Sequence, residues 1–89
     1  MANKAFGITC KRENNHGDPV EIALVKADSA VGAMAKALLR IRGVDSIHCD
    51  ELGEVGSDLF HERVSHWQLR KSTELSSAGV TKARLDRWI

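Results

Sequence analysis

The sequence predicts an α+β domain: a small antiparallel sheet in the order β-β-α-β, one main helix on one face, and a helical C-terminal segment. Three observations carry this expectation. KAFGITCKR and VEIALVKA alternate apolar and polar residues with period two. A cluster of turn formers, ENNHGDP, separates them. DSAVGAMAKALLRIRG then changes the apolar spacing to three and four residues, the period of a helix.

In the first strand Phe6, Ile8 and Cys10 share a face. Asn and Gly in the following run tolerate positive φ, and Pro19 can open an edge strand without losing a ladder donor. Val20, Ile22 and Leu24 share a face of the second strand, so the pair reads as an antiparallel hairpin. Asp28 or Ser29 can cap the helix, since either side chain accepts hydrogen bonds from its first free N–H groups. Val31, Met34, Ala35, Leu38 and Ile41 form the expected buried stripe. Arg40 and Arg42 suit the negative end of the helix dipole. Gly43 can end the helix in a left-handed conformation, with Val44 folding back on the last turn. Gly32 inside the helix costs up to ~1 kcal/mol relative to Ala, and its bareness suits close approach to the sheet.

DSIHCDEL reads as the third strand, with Ile47 and Cys49 inward and Ser46, His48 and Asp50 outward. GEVGSD reads as a second turn. The stretch LFHERVSHWQLRKS fits two periods. Phe60, Val64 and Trp67 align on a helix, whereas Ser65, Trp67 and Leu69 share a face of a strand. A helix from near Ser57 and a strand through HWQLRK both stand at this point. Thr81 is placed to cap a short final helix with Leu85, Trp88 and Ile89 as its apolar face.

The chain has 89 residues, enough for a single domain over 1–89 with one modest core. Its 43% hydrophobic and 28% charged residues are ordinary for a folded domain. No run approaches the ~18 apolar residues of a membrane span. MANKAFGITCKRENN lacks the apolar stretch of a signal peptide, which implies a cytoplasmic chain in which Cys10 and Cys49 stay reduced.

A net charge of +1 excludes a strong overall pull toward nucleic acid or anionic lipid. The charges are nevertheless segregated. Residues 36–42 hold Lys36, Arg40 and Arg42 and no acid, while residues 45–54 hold Asp45, Asp50, Glu51 and Glu54 and no Lys or Arg. From Arg70 onward the bases are Arg70, Lys71, Lys82, Arg84 and Arg87, against Glu74 and Asp86. Such patches are either solvated faces or contact surfaces for charged partners.

Motifs for chemistry are absent. HERVSH resembles a zinc-binding H-E-x-x-H only superficially: His61 and His66 are five residues apart and point roughly 140° away from each other on a helix. His48 and Cys49 are adjacent and so face opposite sides of a strand, and zinc prefers four ligands in close pairs. There is no glycine-rich phosphate loop, no G-x-S-x-G and no carboxylate pair in an apolar setting. The expectation is a non-enzymatic protein without cofactor or metal.

SSAGVTKARLDRWI resembles a helix-turn-helix DNA reader, with Gly79 in the turn, Val80 after it, Thr81 as cap, and Leu85 and Trp88 as buried residues of the second helix. That resemblance implies that Lys82, Ala83 and Arg87 face DNA, with Arg84 in the same basic set. Glu74 and Leu75 depart from the pattern, placing a carboxylate and a large side chain where the two helices would touch. A second resemblance is one of shape. Over roughly residues 4–52, a hairpin leading through VKADSAVGAMAKALL into another strand looks like several small phage-encoded inhibitors, including anti-CRISPR proteins. No functional residue carries over from it.

These readings imply a binding protein that blocks a larger host protein or ribonucleoprotein complex by occupying its surface, as a monomer or homodimer and without a membrane. Asp45, Asp50, Glu51 and Glu54 would compete for a basic groove, and Lys36, Arg40 and Arg42 would meet acidic patches. One alternative is a DNA-binding regulator using Lys82, Arg84 and Arg87. Another is a structural subunit that self-associates through an exposed Phe60 or Trp67.

Overall fold

A computed structural model describes residues 3–11, 20–79 and 87–89. The elements are β1 (Lys4–Lys11), β2 (Val20–Ala27), α1 (Ala30–Arg40), β3 (Ser46–Glu54) and α2 (Phe60–Ser77). The sheet order is β2-β1-β3, with β1 antiparallel to both neighbours. The fold is therefore α+β, as the strand and helix periods predict. β2 and β3 run parallel to each other, and α1 carries the chain from one edge of the sheet to the other.

Both faces of the sheet are buried. Phe6, Ile8 and Cys10 of β1 join Ala23, Val25 and Ala27 of β2 beneath α1. Ile22 and Leu24 face the other way, where Ala5, Leu52, Phe60, Trp67 and Leu75 complete a second cluster under α2. The register explains the split: Ile8 pairs with Ala23, and Thr9 pairs with Ile22. The two apolar sets recognised in the hairpin thus lie on opposite sides of the sheet, and a helix covers each.

Ser29 caps α1, its Oγ accepting from the Gly32 N–H at 3.1 Å. An added Cβ at Gly32 would stand 3.2 Å from Ser29 Oγ and 3.8 Å from the Ala27 Cβ at the end of β2. Gly43 has φ +72°, the left-handed conformation expected after the last turn. The buried stripe differs from the one expected. Ala33, Ala37 and Ile41 are buried and Met34 packs against them, whereas Val31, Ala35 and Leu38 are exposed. The small side chains of Ala33 and Ala37 let the helix backbone lie close to the sheet, and this displaces the larger residues outward.

Residues 60–77 form one continuous helix, so no strand runs through HWQLRK. The helix starts at Phe60, three residues later than Ser57, whose carbonyl accepts from the Phe60 N–H at 3.1 Å. Phe60, Val64 and Trp67 lie on its inner side, as the helical period predicts, and Lys71 and Leu75 continue the row. The α2 helix ends at Ser77 with Ala78 as its cap, and Gly79 follows with φ +82°.

Thr81 and Leu85 lie outside the described residues. Arg87, Trp88 and Ile89 are extended rather than helical. They lie along the outer edge of β2, where the Leu24 N–H donates to the Arg87 carbonyl at 2.7 Å and the Ile89 N–H to the Leu24 carbonyl at 2.9 Å. An unpaired edge strand offers backbone groups that need partners, and this short pairing satisfies two of them. Ile89 still reaches the core beneath α1, while Trp88 remains 43% exposed, 6.3 Å from the Phe60 ring and under the Lys26 ammonium at 5.2 Å.

Candidate protein-binding surface

With both sheet faces covered, the outward side of α1 has no internal role in packing. Val31, Ala35, Leu38 and Leu39 fall within roughly 100° of arc at 3.6 residues per turn. Val31 is 74% exposed and Leu39 78%, with Leu38 half-exposed between core and surface. Scattered apolar residues on a surface need no explanation, whereas a contiguous row on one helix is a candidate contact surface. The row ends in a shallow depression of about 460 Å³ lined by Leu38, Leu39, Ile41, Arg42, Gly43 and Val44.

Lys36 lies about 60° round the helix from Leu39, Arg40 lies about 180° from Val31, and Arg42 lies at the depression. Lys36 Nζ donates to the Lys26 carbonyl at 2.8 Å, which holds its ammonium near the β2 end of α1. Of the three predicted basic residues, Arg42 adjoins the exposed apolar side chains at the depression, and no acid occurs between Ser29 and Val44.

The acidic segment is not a single surface. Ser46, His48, Asp50 and Leu52 of β3 point toward α2, while Ile47, Cys49 and Glu51 point toward α1. Glu51 pairs with Lys4 at 3.1 Å, and Glu54 ends the strand as an exposed residue. Asp45 precedes β3, where its N–H donates to the Lys11 carbonyl at 2.9 Å.

Asp50 is engaged inside the protein. Its Oδ2 accepts from the Trp67 indole N–H at 2.9 Å, and its Oδ1 lies 3.1 Å from His48 Nε2. Lys71 Nζ is 3.6 Å from Oδ2 and Arg70 Nη2 is 3.5 Å from it. Burial alone would raise the Asp50 pKa. The Trp67 and His48 hydrogen bonds and the Lys71 ammonium outweigh that effect and hold it below the ordinary aspartate value. Lys71 is buried and also bonds Glu74 Oε2 at 3.2 Å, so its charge is matched on two sides. The cluster anchors α2 on β3 by polar contacts at the edge of an otherwise apolar interface.

Sequence reasoning missed Lys71. The available signal was its place four residues after Trp67 on the inner row of α2, where a cation demands a carboxylate. The exposed row of α1 was also missed, because Val31, Ala35 and Leu38 were assigned to the core and Leu39 to no face.

The remaining candidates separate from one another. Cys10 and Cys49 lie on the α1 side, and burial, followed by the charges of Asp50 and Glu51, raises the Cys49 pKa. His48 lies on the opposite face, and no group of metal-ligating side chains forms among the described residues. His61 and His66 are both exposed on α2. Phe60 and Trp67 are buried under α2, so neither offers a surface for self-association. Lys82, Ala83 and Arg84 lie outside the described residues, and Arg87 belongs to the extended segment on β2. No helix among the described residues is long and apolar enough to cross a membrane.

Compared with protein-family models, with curated proteins and with solved structures, the chain matches none.

Proposed function

We propose that this domain is a non-enzymatic protein-binding module. In this reading it blocks a larger nucleic-acid-handling complex by occupying one of its surfaces, as the phage-encoded inhibitors that it resembles in element order do. The observation that carries the proposal is the outward row of α1: Val31, Leu38 and Leu39 are exposed although both sheet faces are already covered. An amphipathic helix presents such a row to an apolar groove on a partner. Lys36, Arg40 and Arg42 select a groove rimmed by carboxylates, through steering and through repulsion of basic surfaces.

The test compares affinity capture by the wild-type chain and by Val31→Ser/Leu39→Ser, read by mass spectrometry. Both substitutions are at exposed positions, so the unfolding free energy should change by no more than about 0.5 kcal/mol per site. A stoichiometric protein complex held by the wild type and lost with the variant supports the proposal, as does weaker capture by Lys36→Glu/Arg40→Glu. Equal capture by all three chains, or nucleic acid as the captured species, overturns it.

A further inference from the structure

The two edges of the sheet are guarded in different ways. β3 carries Asp50, Glu51 and Glu54 and no Lys or Arg, which disfavours pairing with a second copy of itself. β2 lacks that guard, since its charges are Glu21 and Lys26, one of each sign. Its outer edge is covered from within the chain instead. Leu24 gives both its main-chain groups to Arg87 and Ile89, at 2.7 and 2.9 Å, and Lys36 Nζ caps the Lys26 carbonyl at 2.8 Å. Backbone groups alternate between the two sides of a strand, so Ile22 and Lys26 present theirs on the same side as Leu24.

The covering segment is anchored on both faces of the sheet. Trp88 stands beside Leu24 on the α2 side, 6.3 Å from the Phe60 ring, and Ile89 packs against the core beneath α1. Its hold is slight. Among the described residues one bridge, at Leu24, joins it to β2, and the Trp88 side chain is 43% exposed.

We propose that Arg87–Ile89 is a latch on a self-association edge, and that the partner for this edge is a second copy of the chain, paired β2 to β2 in antiparallel order. Opening the latch frees Leu24, and two copies centred there exchange the same N–H and C=O groups that the latch had used. Ile22 and Lys26 of one copy then face Lys26 and Ile22 of the other. Charge favours this register. Centring on Lys26 would oppose two ammoniums, and centring on Ile22 would leave Lys26 outside the ladder. With Leu24 at the centre, the second copy's Glu21 falls opposite Ala27. Glu21 and Ala27 lie on the α1 side, from which Lys36 reaches the Lys26 carbonyl, so carboxylate and ammonium meet across the joint. The latch belongs to the same chain and competes at an effective concentration of order millimolar, which keeps the edge closed in dilute solution. Nothing in this pairing uses the outward row of α1.

Sedimentation equilibrium of the full chain and of Trp88→Ser/Ile89→Pro tests the latch, the variant losing the indole and one N–H donor to Leu24. The variant should dimerise at a concentration at least about tenfold below that needed by the wild type. Slow amide exchange at Ile22, Leu24 and Lys26 should accompany the dimer and fade on dilution. Adding Glu21→Lys should weaken that dimer, and Lys36→Glu added to both should restore it. Trp88→Ser alone, at a half-exposed side chain, should shift dimerisation in the same direction and decides the matter where the double variant does not fold. A folded variant that stays monomeric, equal dimerisation of wild type and variants, a dimer indifferent to the charges at 21 and 36, or protection arising in Ser46–Glu51 instead would overturn the proposal.

Discussion

The Trp67 indole lies flat against Gly7 of β1, so close that a Cβ at position 7 would overlap the ring. The same indole donates to Asp50 at 2.9 Å, which fixes its orientation. The ring cannot tilt away without losing that bond, and Gly7 cannot gain a side chain without displacing the ring. Gly7→Ala is therefore expected to destabilise the domain by about 1–3 kcal/mol, the ordinary effect of overpacking. Chemical denaturation of Gly7→Ala, Trp67→Phe and the double variant checks this. In the pair, the smaller ring should recover part of the Gly7→Ala loss, a coupling that independent sites would not show.

Asp50 makes stability depend on acid. Its folded pKa lies below its unfolded value, so on acidification the unfolded chain binds the proton first. The contribution is complete above the unfolded value of ~3.9 and disappears as pH falls through the folded value. Asp50→Asn removes this dependence, and the acid limb of the stability profile should become shallower. At neutral pH the same variant removes the Asp50 charge beside Lys71 while Glu74 remains, and it is expected to lose about 1–3 kcal/mol. Urea midpoints of both chains from neutral pH down to about pH 3 give the comparison directly.

The strands and the helical period were legible because each rests on local spacing. Phe6, Ile8 and Cys10, like Val20, Ile22 and Leu24, recur at every second residue, as in a strand, whereas the stretch with Phe60, Val64 and Trp67 fits both periods and only the structure decides for the helix. The face each set chooses was less legible. Val20, Ile22 and Leu24 oppose Phe6, Ile8 and Cys10 across the sheet because register decides which set shares a side, and register depends on the turn. In α1 both arcs are apolar. Size made Leu38 the natural core residue, yet close packing on the sheet favoured Ala37. The Asp50–Lys71 contact joins residues 21 positions apart in sequence, beyond any periodic signal. The candidate contact region was therefore visible as charge at Lys36, Arg40 and Arg42, while its apolar row became evident only with the packing.

Thr9 supplies the remaining prediction. It lies on the α2 side of β1 between Ile22 and His48, is 6% exposed, and its Oγ1 has no hydrogen-bond partner among the described residues. A buried hydroxyl without a partner keeps its desolvation cost and gains nothing in return. Valine has nearly the same volume and branching and suits a strand at least as well. Thr9→Val is therefore expected to raise stability by about 1 kcal/mol, whereas Thr9→Ser keeps the hydroxyl, loses a methyl group and should lower it. Denaturant midpoints at constant slope separate the two effects. A Thr9→Val midpoint at or below wild type would mean that the hydroxyl is satisfied in solution, and the polar side of the α2 interface would then extend from His48 across to Thr9 of β1.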